Sequence, residues 1–271
     1  MTQRPKLGNW LIRSAALAVL ASACFAPDPA LAASDDLNDL VSRTSQQVSH
    51  FLEQFSDVKC TEKVTQEKLG KGDKVELKAE STYDYLVILT NPGGELSLDE
   101  SRLAVHEAKS DKKNTSMLVT NGFATLFLVF HPYYLESFRF TALEAEVVDG
   151  RRLSKTSFQH VRGTRSVAAL SLRGKEYPLE LSGTAWIDPQ TGTIQKIVAE
   201  VGDTMQDVGV KTLRSEVEYA PVPFRGVKET YWLPAQASVE VETPRQHWRN
   251  THRFTDYKKF SVDTQEQVAN K

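Results

Sequence analysis

From residue 34 the apolar side of the chain first returns at steps of three and four. Leu37, Leu40, Val41, Thr44, Val48, Phe51, Leu52 and Phe55 share one stripe, and Asp39, Arg43, Gln46, Gln47 and Glu53 share the other. That period predicts an amphipathic helix laid over a core. Ser34 suits its N-cap, and Asp35 and Asp36 sit where the helix dipole favours negative charge. After Cys60 the period drops to two. "TYDYLVILT" (82–90) reads as a buried strand, ended by Asn91-Pro92-Gly93-Gly94. "YPLELSGTAWID" (177–188), "SEVEYAPV" (215–222) and "SVEVE" (238–242) alternate apolar and polar residues, so each strand has two different faces. Asp149-Gly150 predicts a two-residue type I′ hairpin, and "DPQTG" (188–192) predicts a turn started by Pro189 with Gly192 free for positive φ. Strand and turn alternate at a steady short spacing from 135 to 262, which predicts an antiparallel meander.

One stretch breaks the rhythm. "SMLVTNGFATLFLVFHPYYLESF" (116–138) is the most apolar segment beyond the first thirty or so residues, and Phe123, Leu126, Phe127, Phe130 and Tyr134 lie at helical spacing. It predicts a short helix near 121–131, apolar nearly all round and far too short to span a bilayer. Such a helix has to be buried on more than one side. The fold class that follows is mainly β with helices (α+β). It is a half-open antiparallel β-barrel or strongly curved sheet, with an N-terminal helix and an inserted apolar helix acting as a lid. A container of that kind suits an apolar ligand.

Composition changes this picture at the N-terminus. Arg4, Lys6 and Arg13 precede a short run rich in Ala and Leu (14–26), so residues 1–33 read as an export signal and 34–271 as a single β domain. Two cleavage instructions compete. Cys24 follows Ser22 and Ala23 as a lipidation site would have it, but Ala21 stands where a large aliphatic residue belongs. Pro27, Pro29 and Ala30-Leu31-Ala32 fit ordinary cleavage near Ala32 or Ala33, and this is the favoured reading. It predicts a periplasmic or secreted protein; lipidation would instead anchor the chain to a membrane through Cys24. After the ordinary cut Cys60 would be the one cysteine left, read as a small buried residue at the start of a strand. The balance of 33 Lys and Arg against 35 Asp and Glu argues against nucleic acid as a partner.

The stretches "CTEKVTQEKL" (60–69), "NGFATLFLVFHPYY" (121–134), "GTAWIDPQTGTIQKI" (183–197) and "TPRQHWRNTHRFTDYKKF" (243–260) give the chain an organisation that resembles the LolA/LolB-like lipoprotein-carrier superfamily, close to an uncharacterised exported bacterial group within that fold. The resemblance in organisation covers about 35–262. It implies a half-open barrel with a helical lid around a cavity for acyl chains, and traffic through the periplasm. No site residue is carried over from it.

The candidate lipid-binding residues are Phe123, Leu126, Phe127, Phe130 and Tyr134 of the apolar segment, with Trp186 and Trp232 on strands; each of these equally suits plain core packing, and either Trp could staple the sheet from outside. "RQHWRNTHR" (245–253) gathers Arg245, His247 and Arg249 around Trp248, a basic strip for lipid head groups or a partner's carboxylates, or a solvated face paired with Glu240 and Glu242. The six histidines show no ligand spacing, and no nucleophile motif or Gly-rich phosphate loop is present, so neither metal, cofactor nor catalysis is expected. The sequence therefore predicts an exported, non-catalytic protein that holds a lipid or the acyl part of a lipoprotein in the concave face of its sheet, with an envelope membrane protein as a further partner. The competing expectation is an envelope scaffold or lipoprotein receptor that presents the basic aromatic strip to a protein.

Overall fold

The computed structural model describes residues 29–56, 58–90, 96–106, 123–172, 175–201 and 203–259. The chain enters through helix α1 (Pro29–Ser56), whose buried side is the expected stripe: Leu40, Val41, Thr44, Val48, Phe51, Leu52 and Phe55. The helix starts earlier than Ser34. Pro29 has no N–H to lose in the first turn and its fixed φ suits a helix, and Ala30, Leu31, Ala32 and Ala33 are good helix formers. Ser34 is thus an interior helix residue, not its cap.

Among the described residues twelve strands follow: β1 (Val58–Leu69), β2 (Val75–Thr90), β3 (Ser97–His106), β4 (Phe138–Val148), β5 (Arg151–His160), β6 (Ala169–Leu172), β7 (Lys175–Pro178), β8 (Leu181–Ile187), β9 (Ile194–Val201), β10 (Thr212–Pro223), β11 (Thr230–Glu242) and β12 (His247–Lys259). Ten of them form one antiparallel sheet in the order β3-β2-β1-β12-β11-β10-β9-β8-β5-β4, curved and not closed into a barrel, with β6 and β7 as a separate hairpin. The meander expected over the second half is present from β4 to β12, interrupted by β6–β7. The Asp149-Gly150 hairpin has positive φ at both residues, 49° and 76°, as a type I′ turn requires. Gly192 closes the β8–β9 turn at φ 75°, its N–H donating to the Asp188 carbonyl at 2.9 Å.

Three local expectations change. The stretch 177–188 is not one strand: it divides into β7 and β8, because the Leu179 N–H turns to the Ala168 carbonyl (2.9 Å) and Pro178 has none to offer. β2 is buried on one face only; Tyr85 and Val87 are covered whereas Ile88 is 45% exposed, since α1 covers one side of the sheet and water the other. The apolar segment Phe123–Phe130 forms tight 3-10 turns rather than an α-helix, with Thr125 off helical geometry (φ −102°, ψ 17°). Eight residues rich in aromatic and β-branched side chains gain little from an α-helix, and packing sets their backbone.

α1 and the Phe123–Phe130 segment both lie on the concave face, the segment resting on β9, β10 and β11. Among the described residues no helix is long and apolar enough to cross a membrane.

Candidate functional site

The concave face is built by parity. Along β10, Leu213, Ser215, Val217 and Tyr219 point inward, and along β11 Ala237, Val239 and Val241 do so. A bulge between Glu218 and Tyr219 then shifts the register by one. A shift of one residue exchanges the faces, and beyond the bulge it is Thr230 and Trp232 that line the inner cleft. There they meet Val48 and Phe51 of α1, Phe127 of the apolar segment, Ile194 and Tyr219. Phe51 and Phe127 cross edge to face at 4.5 Å between ring centres, and Phe127 meets Tyr219 at 6.3 Å. The Phe127 backbone also hydrogen-bonds the Tyr219 hydroxyl, whose pKa burial pushes up.

The cleft these groups leave is about 20 Å³, room for one water molecule. An acyl ligand needs a site of several hundred Å³. Among the described residues the expected container is therefore filled by its own cover: Leu126, Phe127 and Phe130 are at most 2% exposed, and Phe130 packs against Phe140 and Phe158. The cover is tied to the rim by polar contacts. Arg43 donates to the Pro189 carbonyl (3.2 Å), and His50 Nε2 lies 2.9 Å from Glu229 Oε1, with Gln54 beside it at 3.0 Å. Gly192 lets α1 approach the β8–β9 turn so closely that a Cβ there would stand 2.8 Å from the Arg43 carbonyl carbon.

The sequence-derived residues divide. Leu126, Phe127, Phe130 and Trp232 meet at this inner face, with Tyr134 half-buried against the same core. Trp186 does not join them. It faces the convex side, between Lys155 (5.2 Å) and Lys196 (5.5 Å), and its indole N–H donates to Glu146 at 3.0 Å. Its neighbours Ala185 and Ile187 take the inner side. The Phe123 side chain and Cys24 lie outside the described residues.

The basic strip is also dispersed. Arg245 sits in the turn before β12, not on a strand face with His247 and Arg249. His247 and Arg249 share one acceptor, Glu240, at 2.6 and 3.2 Å. Burial would raise the Glu240 carboxyl, but hydrogen bonds from His247 and Arg249 win and hold it below the usual range. Glu242 pairs with Lys211 instead. Trp248 turns to the opposite, buried face under Lys68. Arg245 and His247 do border a polar cleft of about 520 Å³ with Lys68, Lys71 and Asp73, at the end of the sheet marked by the β1–β2 and β11–β12 turns.

A second buried group was not anticipated. Glu62 on β1 is fully buried, yet polar partners surround it: Arg102 of β3 donates through Nε (2.5 Å) and Nη2 (2.9 Å), and His252 of β12 approaches at 2.7 Å. Arg102 also reaches Glu100 (2.8 Å), which accepts from the Tyr85 hydroxyl at 2.9 Å. The signal existed in the alternation, because Glu62 occupies the same parity as Val58, Cys60 and Val64, and His252 that of Trp248 and Phe254. Cys60 is 3% exposed and burial pushes its thiol pKa up to about 12, so it is the inert residue expected. Among the described residues no three His, Cys, Asp or Glu side chains gather as a metal site would need.

No family model matches this chain, and no curated protein matches it. Solved structures similar to it include a putative outer membrane lipoprotein-sorting protein domain from Vibrio parahaemolyticus, with 10% identity, 85% of this chain and 95% of that chain covered, and a TM-score of 0.43. A DUF1329 family protein from Desulfovibrio piger aligns at 13% identity over 86% of this chain and 95% of that one, with a TM-score of 0.41. The lipoprotein LppX from Mycobacterium tuberculosis aligns at 12% identity over 83% and 99%, with a TM-score of 0.23.

Proposed function

We propose that this chain is an exported, non-catalytic binding protein that takes a lipid, or the acyl part of a lipoprotein, onto the concave face of its sheet. The observation that carries the reading is the nature of the cover. The concave face is covered by a helix and by a short apolar segment, with the small β6–β7 hairpin also packed on the core through Leu170 and Tyr177, and at the rim the helix is held by polar contacts of little individual worth. Apolar side chains of the cover stand where an acyl chain would lie, so loading exchanges one apolar surface for another. Burial at about 25 cal/mol per Å² supplies affinity in either state, and only the difference between ligand and cover appears as binding. Export through the leader and delivery to an envelope membrane protein belong to the same proposal.

The test is native mass spectrometry of protein exported by a bacterial host and purified without detergent. A non-covalent adduct of lipid mass, lost on denaturation, is the expected result. A bare chain that also fails to take up a fluorescent fatty acid or phospholipid from vesicles would end the carrier reading.

A further inference from the structure

Among the described residues, the floor beneath the cover holds two buried hydroxyls without a hydrogen-bond partner. Two neighbouring rows cross the sheet on its inner side. One runs Thr156, Ala185, Ile197, Val217, Ala237 and the next runs Phe158, Gly183, Ala199, Ser215, Val239, each step a paired position in adjacent strands. Where the apolar segment rests, on β9, β10 and β11, the rows mix Ala199, Ser215 and Ala237 with Ile197, Val217 and Val239. At Gly183 a Cβ would meet the Val198 backbone carbonyl of β9 first and then the Phe158 ring at 2.6 Å, so this position admits no side chain. Within it, Thr156 is 0% and Ser215 1% exposed, and neither Oγ has a hydrogen-bond partner. Parity aims both inward: Ser215 lies between Leu213 and Val217, and Thr156 shares its face with Phe158, which touches Phe130 of the cover.

A buried hydroxyl without a partner is costly, and apolar Ala or Val would serve a plain core better. Such a donor gains its bond only when something bearing an acceptor replaces the cover. We infer that the floor recognises an ester carbonyl of an acylated ligand, with Ser215 as its donor, rather than hydrocarbon alone; Thr156 lies three strands away across β9 and β8 and is not part of that contact. The inference rests on the carrier reading and narrows its ligand to acyl esters. It also orients the ligand. Chains run towards the aromatic cleft of Phe51, Phe127 and Trp232. The head group points the other way along the strands, towards the end of the sheet at the β11–β12 turn, about 10 Å from Ser215 at roughly 3.3 Å per residue.

The experiment compares a diacyl phosphatidylethanolamine with the dialkyl ether lipid of the same chain length and head group, each displacing a bound fluorescent fatty acid. The wild-type chain prefers the ester by about tenfold, the value of one buried hydrogen bond. In Ser215→Ala the preference falls to near unity, while affinity for the ether lipid is kept and the urea midpoint of the empty protein stays equal or rises. Thr156→Val, three strands away, leaves the preference unchanged. Equal affinity for ester and ether in the wild-type chain overturns the inference and leaves the carrier reading standing. So does an undiminished preference in Ser215→Ala. A fall in the stability of empty Ser215→Ala also overturns it, because the hydroxyl would then already be satisfied, by an ordered water for example. Binding of neither lipid defeats the carrier reading itself, and the inference with it.

Discussion

Glu62 is a carboxylate on the apolar side of a strand, and its partners decide what it does. Burial alone would raise its pKa; hydrogen bonds from His252 and Arg102 outweigh burial and hold it below the ordinary range. Its folded value therefore lies under its unfolded value. The stabilisation is complete above the ordinary carboxylate range and is lost as pH falls from about 5 downward. Glu62→Gln should cost on the order of 3 kcal/mol at pH 7, because it strips the part-buried Arg102 of its buried counter-charge. The variant should also lose part of the acid sensitivity. Urea unfolding of both proteins at pH 7 and pH 4 checks this, and a variant as stable and as acid-sensitive as the wild type would refute it. Cys60, one strand position pair away, gives a simpler readout. With its thiol pKa raised to about 12 by burial, it should resist an aromatic disulfide reagent at pH 8 in the folded protein and react at once in urea. Rapid reaction in the folded protein would mean that β1 and its cover open far more often than this packing allows.

At the scale of elements, the sheet could be read from the sequence and the cover only in part. Strict alternation in β8, β10 and β11, the Asp149-Gly150 turn and the α1 stripe were legible because each depends on neighbours within a dozen residues. The pairing of β1 with β12 was not, since residues such as Val64 and His252 meet across most of the chain and carry no local mark of it. Nor was the state of the apolar segment: helical spacing of Leu126, Phe127 and Phe130 announces burial, but the same spacing fits 3-10 turns. Trp186 and Trp232 show a further limit. Both sit on even positions of alternating strands, and the bulge at Glu218/Tyr219 alone sends Trp232 inward while Trp186 stays outside. α1 itself makes a testable element. His50→Cys with Glu229→Cys, joined by a cleavable thiol-bridging reagent, should abolish uptake of a fluorescent lipid, and reduction should restore it. Gly192→Ala should act in the opposite sense. It places a Cβ against the Arg43 backbone at a positive φ, so it should lower stability by about 1 kcal/mol and speed uptake. If the bridged protein loads as fast as the free one, α1 is not part of the gate.

The whole molecule is an open sheet whose inner face never stands bare. The strands β8 to β11 are paired on both sides, whereas α1 and the Phe123–Phe130 segment reach the sheet through side chains. Ladder hydrogen bonds and cover thus belong to different orders of stability, and local opening begins in the cover. An acyl ligand that takes the floor has to displace the apolar segment, because a cleft of about 20 Å³ cannot admit it otherwise. A ligand that only filled an existing hole would tighten every element, so the two modes leave opposite traces in amide hydrogen exchange. With a phospholipid loaded, amides of 123–130 should exchange faster than in the empty protein, while those of β8 to β11 keep or gain protection. Slower exchange in 123–130 on loading would show that the segment stays in place and that the ligand binds elsewhere. Unchanged exchange throughout would show that the lipid does not enter the fold at all.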